Sequence, residues 1–123
     1  MDKKTGSIGW IDLTIPNAEE VKDFYEAVVG YKSEPVSMGD YNDFTMKSED
    51  DAKAGVCHKK GTNAEIPSQW MIYINIADLN KSLQAVDEKG GKALSEIKDY
   101  GAYGRACIIK DPGGAVCTLF EPK

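Results

Sequence analysis

The sequence predicts an α+β fold made of strand, helix and three strands, written twice in a single domain over residues 1–123. Two observations carry this. Alternating and helical segments recur in the same order in both halves, and the halves superimpose on one another. Ile15 falls on Ile76, Asn17 on Asp78 and Gly30 on Gly91 at an offset of 61. Ala54-Gly55-Val56-Cys57-His58 falls on Gly114-Ala115-Val116-Cys117-Thr118 at an offset of 60. The modules are expected at about 7–60 and 69–122, joined by a linker at about 61–68.

Ile8 to Ile15 alternates, with Ile11, Leu13 and Ile15 against Trp10, Asp12 and Thr14, and Pro16 ends the strand. Asn17 to Val29 carries Val21, Phe24, Tyr25 and Val28 at helical spacing. Asn17 and Glu20 have the spacing of a capping box, and Gly30 is a stop. Three strands follow, near Tyr31 to Ser37, Asn42 to Lys47 and Lys53 to Lys59, with Glu49-Asp50-Asp51 as a solvated turn.

In the second half, Trp70 to Ile76 alternates, with Trp70, Ile72, Ile74 and Ile76 against Met71, Tyr73 and Asn75. Leu79 to Lys89 is a helix with Leu79, Leu83 and Val86 inward and Gly90-Gly91 as its stop. Strands are expected at Ala93 to Lys98, Arg105 to Lys110 and Ala115 to Glu121, the last two joined by Asp111-Pro112-Gly113-Gly114.

Composition narrows the function classes. At 41% hydrophobic and 28% charged the chain has enough apolar residues for one core. No apolar run reaches the roughly 20 residues that span a bilayer. Met1, Asp2, Lys3 and Lys4 do not open a signal peptide, so a cytoplasmic protein is expected. A net charge of -5, with Arg105 as the one arginine, disfavours nucleic acid and anionic membrane as partners. Cys57, Cys107 and Cys117 show no C-x-x-C spacing and read as reduced thiols. His58 is the sole histidine, which removes every mechanism that needs two.

Two modules, each a helix on a small sheet, joined edge to edge make a curved mixed sheet with helices outside and a cup inside. Strand parity then assigns Trp10, Asp12, Thr14, Met71, Tyr73 and Asn75 to the cup, with Phe44, Met46 and Phe120 as further lining. The internal alignment puts Cys57 and Cys117 on the helix side and His58 and Thr118 in the cup.

The chain resembles the glyoxalase, bleomycin-resistance protein and extradiol dioxygenase superfamily, the vicinal oxygen chelate proteins. The resemblance lies in Asp12-Leu13 before the first helix and in Asp23-Phe24-Tyr25 with Val29-Gly30 at its end. It continues in Gly90-Gly91 after the second helix and in Gly104-Arg105 leading to Asp111-Pro112-Gly113-Gly114. For fold it implies two βαβββ modules. For function it implies a range, because the fold hosts lyases, isomerases, dioxygenases and sequestering proteins. Members that bind a divalent metal take ligands from the first and last strands of each module. Carried over residue by residue, those positions are Trp10, His58, Met71 and Thr118, of which His58 alone is a good ligand.

The expected function is therefore metal-free binding of an organic small molecule. Trp10, Met71 and Tyr73 supply packing, Asp12, His58 and Thr118 set polarity, and Tyr103 and Arg105 stand at the mouth. Arg105 either holds a ligand's anionic group or braces its loop against an acidic partner. No cofactor is expected. One alternative is a glyoxalase-like lyase or isomerase using Asp12 or His58 as acid or base, with a divalent metal as an option. A second is an interaction protein whose cup is filled by its own side chains. A homodimer is expected in either case, since the modules leave sheet edges open.

Overall fold

The computed structural model describes residues 3–123, the side chain of Thr62 excepted; Met1 and Asp2, two of the four residues behind the signal-peptide expectation, lie outside it. The described residues form nine strands and two α-helices. In chain order these are β1 (Ile8–Ile15), α1 (Ala18–Val29), β2 (Lys32–Ser37), β3 (Asn42–Ser48), β4 (Asp51–His58), β5 (Trp70–Asn75), α2 (Leu79–Glu88), β6 (Lys92–Ala93), β7 (Lys98–Asp99), β8 (Gly104–Lys110) and β9 (Val116–Pro122). The expected linker holds one short 3-10 turn at Gly61–Asn63.

The chain divides into two compact units, Ile11–Trp70 and Met71–Lys123 with the opening segment through Trp10. The sequence repeat places all of β1 in the first module, whereas its opening residues belong with the second. Asn75 is the reason. Its carbonyl accepts from Gly6 N–H at 2.8 Å and its own N–H donates to Ser7 at 2.9 Å. Its side chain occupies the space that a Cβ on Gly9 would take.

In the N-terminal unit β1 pairs in parallel with β4, Leu13 beside Val56, and β4, β3 and β2 follow antiparallel. Both φ angles of Glu49 and Asp50 are positive, at 51° and 71°, as a two-residue type I′ hairpin turn requires. Leu13, Ile15, Phe44, Met46, Ala54 and Val56 form the core under α1, with Ala18, Val21 and Tyr25 above them. Each large side chain so buried contributes about 1.5–3 kcal/mol of transfer free energy. Phe44 and Met46 were expected to line the cup; they lie in this helix-side core instead. Alternation also overturns the expectation for Cys57 and His58. Ala54 and Val56 face α1, so Cys57 faces away from it and His58 shares the α1 side.

α1 carries a second correction. Val21 and Tyr25 pack inward, but Phe24 and Val28 are 55% and 62% exposed. The buried stripe runs along Ala18, Val21 and Tyr25, and Phe24 and Val28 fall on its flank at about 100° per residue. Gly30 stops the helix with φ 90° and an N–H to the Glu26 carbonyl, as expected. The cap differs. The Asn17 side-chain amide donates to the Glu20 carboxylate at 2.9 Å and caps no backbone N–H.

In the C-terminal unit β5 pairs in parallel with β9, β9 antiparallel with β8, and β8 with both β6 and β7. Leu79, Cys107, Ile109 and Leu119 form its core, with Ile76, Leu83, Val86 and Cys117 packed on it. The single strand expected over Ala93 to Lys98 is broken into two short ones. Ser95 breaks it, since its hydroxyl, rather than a backbone carbonyl, takes the Ile108 N–H at 3.0 Å.

Candidate functional site

Strand register in the C-terminal unit brings a defined set of side chains onto the face turned away from α2. Cys107, Ile109, Cys117 and Leu119 face α2, so their neighbours along β8 and β9 face the other way. Thr118 stands beside Tyr73 of β5 on one side and Ile108 of β8 on the other. Phe120 stands between Asn75 and Ala106 in the next row. The Tyr73 and Phe120 rings meet edge-on at 6.5 Å, and the Tyr100 ring lies tilted on Phe120 at 6.5 Å.

Thr118 is 3% exposed, and its Oγ1 is buried with no hydrogen-bond partner among the described residues. An unsatisfied buried hydroxyl costs about 1–3 kcal/mol, so a group that hydrogen-bonds to it gains that back. Met71, 1% exposed, continues the same face along β5, and half-buried Trp10 belongs to the same unit.

Arg105 lies on the opposite parity. Its Nε and Nη2 donate to the two carboxylate oxygens of Glu121 at 3.2 and 3.3 Å. Glu121 also accepts the Leu79 N–H at the first turn of α2, at 2.7 Å. Arg105 thus ties β8, β9 and α2 together, which is the bracing role the sequence left open. Its guanidinium holds the Glu121 carboxyl below the usual range, with the Leu79 N–H adding to that. Tyr103, 79% exposed, stands on the short turn before β8.

Asp12 and His58 lie in the N-terminal unit on opposite faces of the β1–β4 ladder. Asp12 stands beside Gly55, and His58 beside Ile15. The His58 ring meets Tyr41 edge-on at 5.1 Å, and its Nδ1 is 3.4 Å from Asp43 Oδ1. That oxygen accepts the His58 backbone N–H at 2.8 Å. Asp43 is buried and was not singled out in the sequence; its only signal was a carboxylate inside a strand otherwise suited to a core. Cys57 hydrogen-bonds to the same carboxylate, and burial first, then the charges of Asp12 and Asp43, push its thiol far up.

The positions that the resemblance gives to a divalent metal do not fit one. Indole does not coordinate, a thioether suits soft metals, and a neutral hydroxyl is a weak ligand. His58 is the one good donor, and its Nδ1 is turned to Asp43. Among the described residues no three His, Cys, Asp or Glu side chains gather as a metal site.

The model of the Glyoxalase/Bleomycin resistance protein/Dioxygenase superfamily matches residues 7–118. The chain belongs to this superfamily. Among curated relatives, "Putative glyoxylase CFP32" of Mycobacterium bovis is 25% identical over 97% of this chain and 45% of its own length. Anthracycline biosynthesis protein DauV of a Streptomyces species is 25% identical over 94% of this chain and 42% of its own. The chain therefore spans less than half the length of these relatives. Among solved structures, methylmalonyl-CoA epimerase from Mycobacterium tuberculosis superimposes with a TM-score of 0.62 at 14% identity, covering 100% of this chain and 93% of that one. A superfamily member from Vibrio splendidus 12B01 gives 0.62 at 14% identity, over 91% of this chain and 96% of that one. At such identity these likenesses establish the βαβββ superfamily fold and leave the activity to the site. No helix among the described residues is long and apolar enough to cross a membrane.

Proposed function

We propose that this superfamily member binds an organic small molecule on the face of its C-terminal unit turned away from α2, and does so without a divalent metal. The observation that carries this reading is the Thr118 hydroxyl, buried and unpartnered in the middle of that face. Around it, Tyr73, Phe120 and Tyr100 offer aromatic surface and Met71 an adaptable thioether, with Trp10 of the same unit as a further candidate. Thr118 gives direction to a ligand that these groups would otherwise hold by contact alone. Weak metal donors at the positions of the resemblance support the metal-free part. The relative named for anthracycline biosynthesis is consistent with an organic ligand.

Thermal-shift measurements on wild type and Thr118→Val test this reading. A ligand in hundredfold excess over its Kd adds about 2.7 kcal/mol to the stability of the protein that binds it. Organic compounds from a metabolite panel are expected to raise the wild-type midpoint and to lose much of that effect in the variant. Stabilisation by Zn²⁺ or Mn²⁺ that exceeds every organic compound contradicts it.

A further inference from the structure

Resting on the reading of the Thr118 face as the ligand site, we infer that the ligand is an anion: an aromatic compound carrying a carboxylate or a phosphate. Residues directly opposite one another in a ladder share a face, so the registers of the C-terminal unit sort its charges by side. On the side of Thr118, Val116 stands beside Lys110 and Lys110 beside Lys92. Phe120 stands beside Ala106 and Ala106 beside Lys98.

Among the described residues three lysines thus occupy ladder positions on this face, and no Asp or Glu does. The strand carboxylates hold the other parity, Asp99 beside Arg105 and Arg105 beside Glu121. In a chain of net charge -5 this is a local reversal of sign. The N-terminal unit shows no such sorting, since its face turned away from α1 carries Asp12 beside Gly55.

Lys92 and Lys110 are exposed at one end of the face and Lys98 is half-buried at its edge. Lys110 is one strand over and two residues along from Thr118. Sheet spacings make that about 8 Å between Cα atoms, within reach of a flexible lysine stem. A ligand whose ring lies on Tyr73 and Phe120 and whose polar atom meets Thr118 Oγ1 therefore has its anionic group among ammonium charges. Those charges act over about a Debye length and are screened by salt.

The test is an amide chemical-shift titration at low salt with 1-naphthoate, 1-naphthyl phosphate and the neutral 1-naphthamide, on wild type and on a Lys92→Gln/Lys110→Gln variant. Both lysines are exposed, so the variant keeps the fold. At least one anion is expected to shift the Tyr73, Ile108 and Thr118 amides and to bind more tightly than the amide. Surface charge pairs imply a loss of about threefold in anion affinity per lysine removed, with the amide unaffected. The tighter anion identifies carboxylate or phosphate as the group preferred. Equal binding of 1-naphthamide, with no effect of the variant, overturns the inference while the site stands. Failure of all three compounds to shift those amides overturns the inference and the site together.

Discussion

Tyr73 and Thr118 are direct partners across the parallel β5–β9 ladder, and the Thr118 hydroxyl nonetheless lies buried without a hydrogen bond among the described residues. A strand interior seldom keeps a polar atom in that condition. An unsatisfied hydroxyl there lowers the stability of the folded chain.

Replacing Thr118 by valine removes the hydroxyl and keeps the branched shape. The ligand-free variant is expected to be more stable than wild type by about 1 kcal/mol, the lower end of the cost of a buried unsatisfied group. Urea unfolding measures this. A variant less stable than wild type shows that the hydroxyl has a partner.

Gly104 has φ 137°, and a Cβ there would overlap the Glu121 carbonyl oxygen. Both obstacles are backbone, so neither yields. Gly104→Ala is expected to cost about 3 kcal/mol or more. Gly114, at φ 91° with open space around it, is expected to cost only about 1 kcal/mol on the same change. Denaturation of the two variants side by side checks the ranking.

Arg105 first, and the Leu79 N–H second, lower the Glu121 carboxyl in the folded chain. A lowered folded value gives stability that is complete above the unfolded value, about 4.3, and is lost as pH falls through the folded one. The urea midpoints of wild type and Glu121→Gln are therefore expected to differ near neutral pH and to converge in acid. A constant gap removes the ion pair from the account.

Burial first, then the charges of Asp12 and Asp43 and the hydrogen bond to Asp43, raise the Cys57 thiol and suppress the reactive thiolate. Alkylation of the native protein at mildly alkaline pH should spare Cys57 relative to the unfolded chain. Asp43→Asn should raise its rate, as peptide mass mapping of the modified cysteine would show.

The repeat was legible because each module needs an amphipathic helix stopped by glycine, and Gly30 and Gly91 keep that spacing. The last strand of the first module was not. A short match of Gly-Val-Cys to Ala-Val-Cys suggested an offset of 60 there. Ladder register makes Gly55, beside Asp12, the counterpart of Thr118, beside Tyr73, at an offset of 63. An odd shift exchanges the faces of a strand, which is why His58 and Cys57 traded sides while Thr118 did not. Ser95 hid a break in an otherwise regular strand because the hydrogen bond responsible is made by a side chain. Alternation put Met71 and Tyr73 on one face of β5 and the internal alignment added Thr118, which stands beside Tyr73 in the ladder. Lys92, Lys98 and Lys110 could join them only once the pairing of three strands was known.

Native mass spectrometry of wild type and Thr118→Val, each incubated with the same metabolite extract, tests the central claim most directly. The account predicts an organic adduct on wild type, reduced or absent on the variant, and no stoichiometric metal on either. A stoichiometric divalent metal, or an organic adduct held equally by both chains, would contradict it.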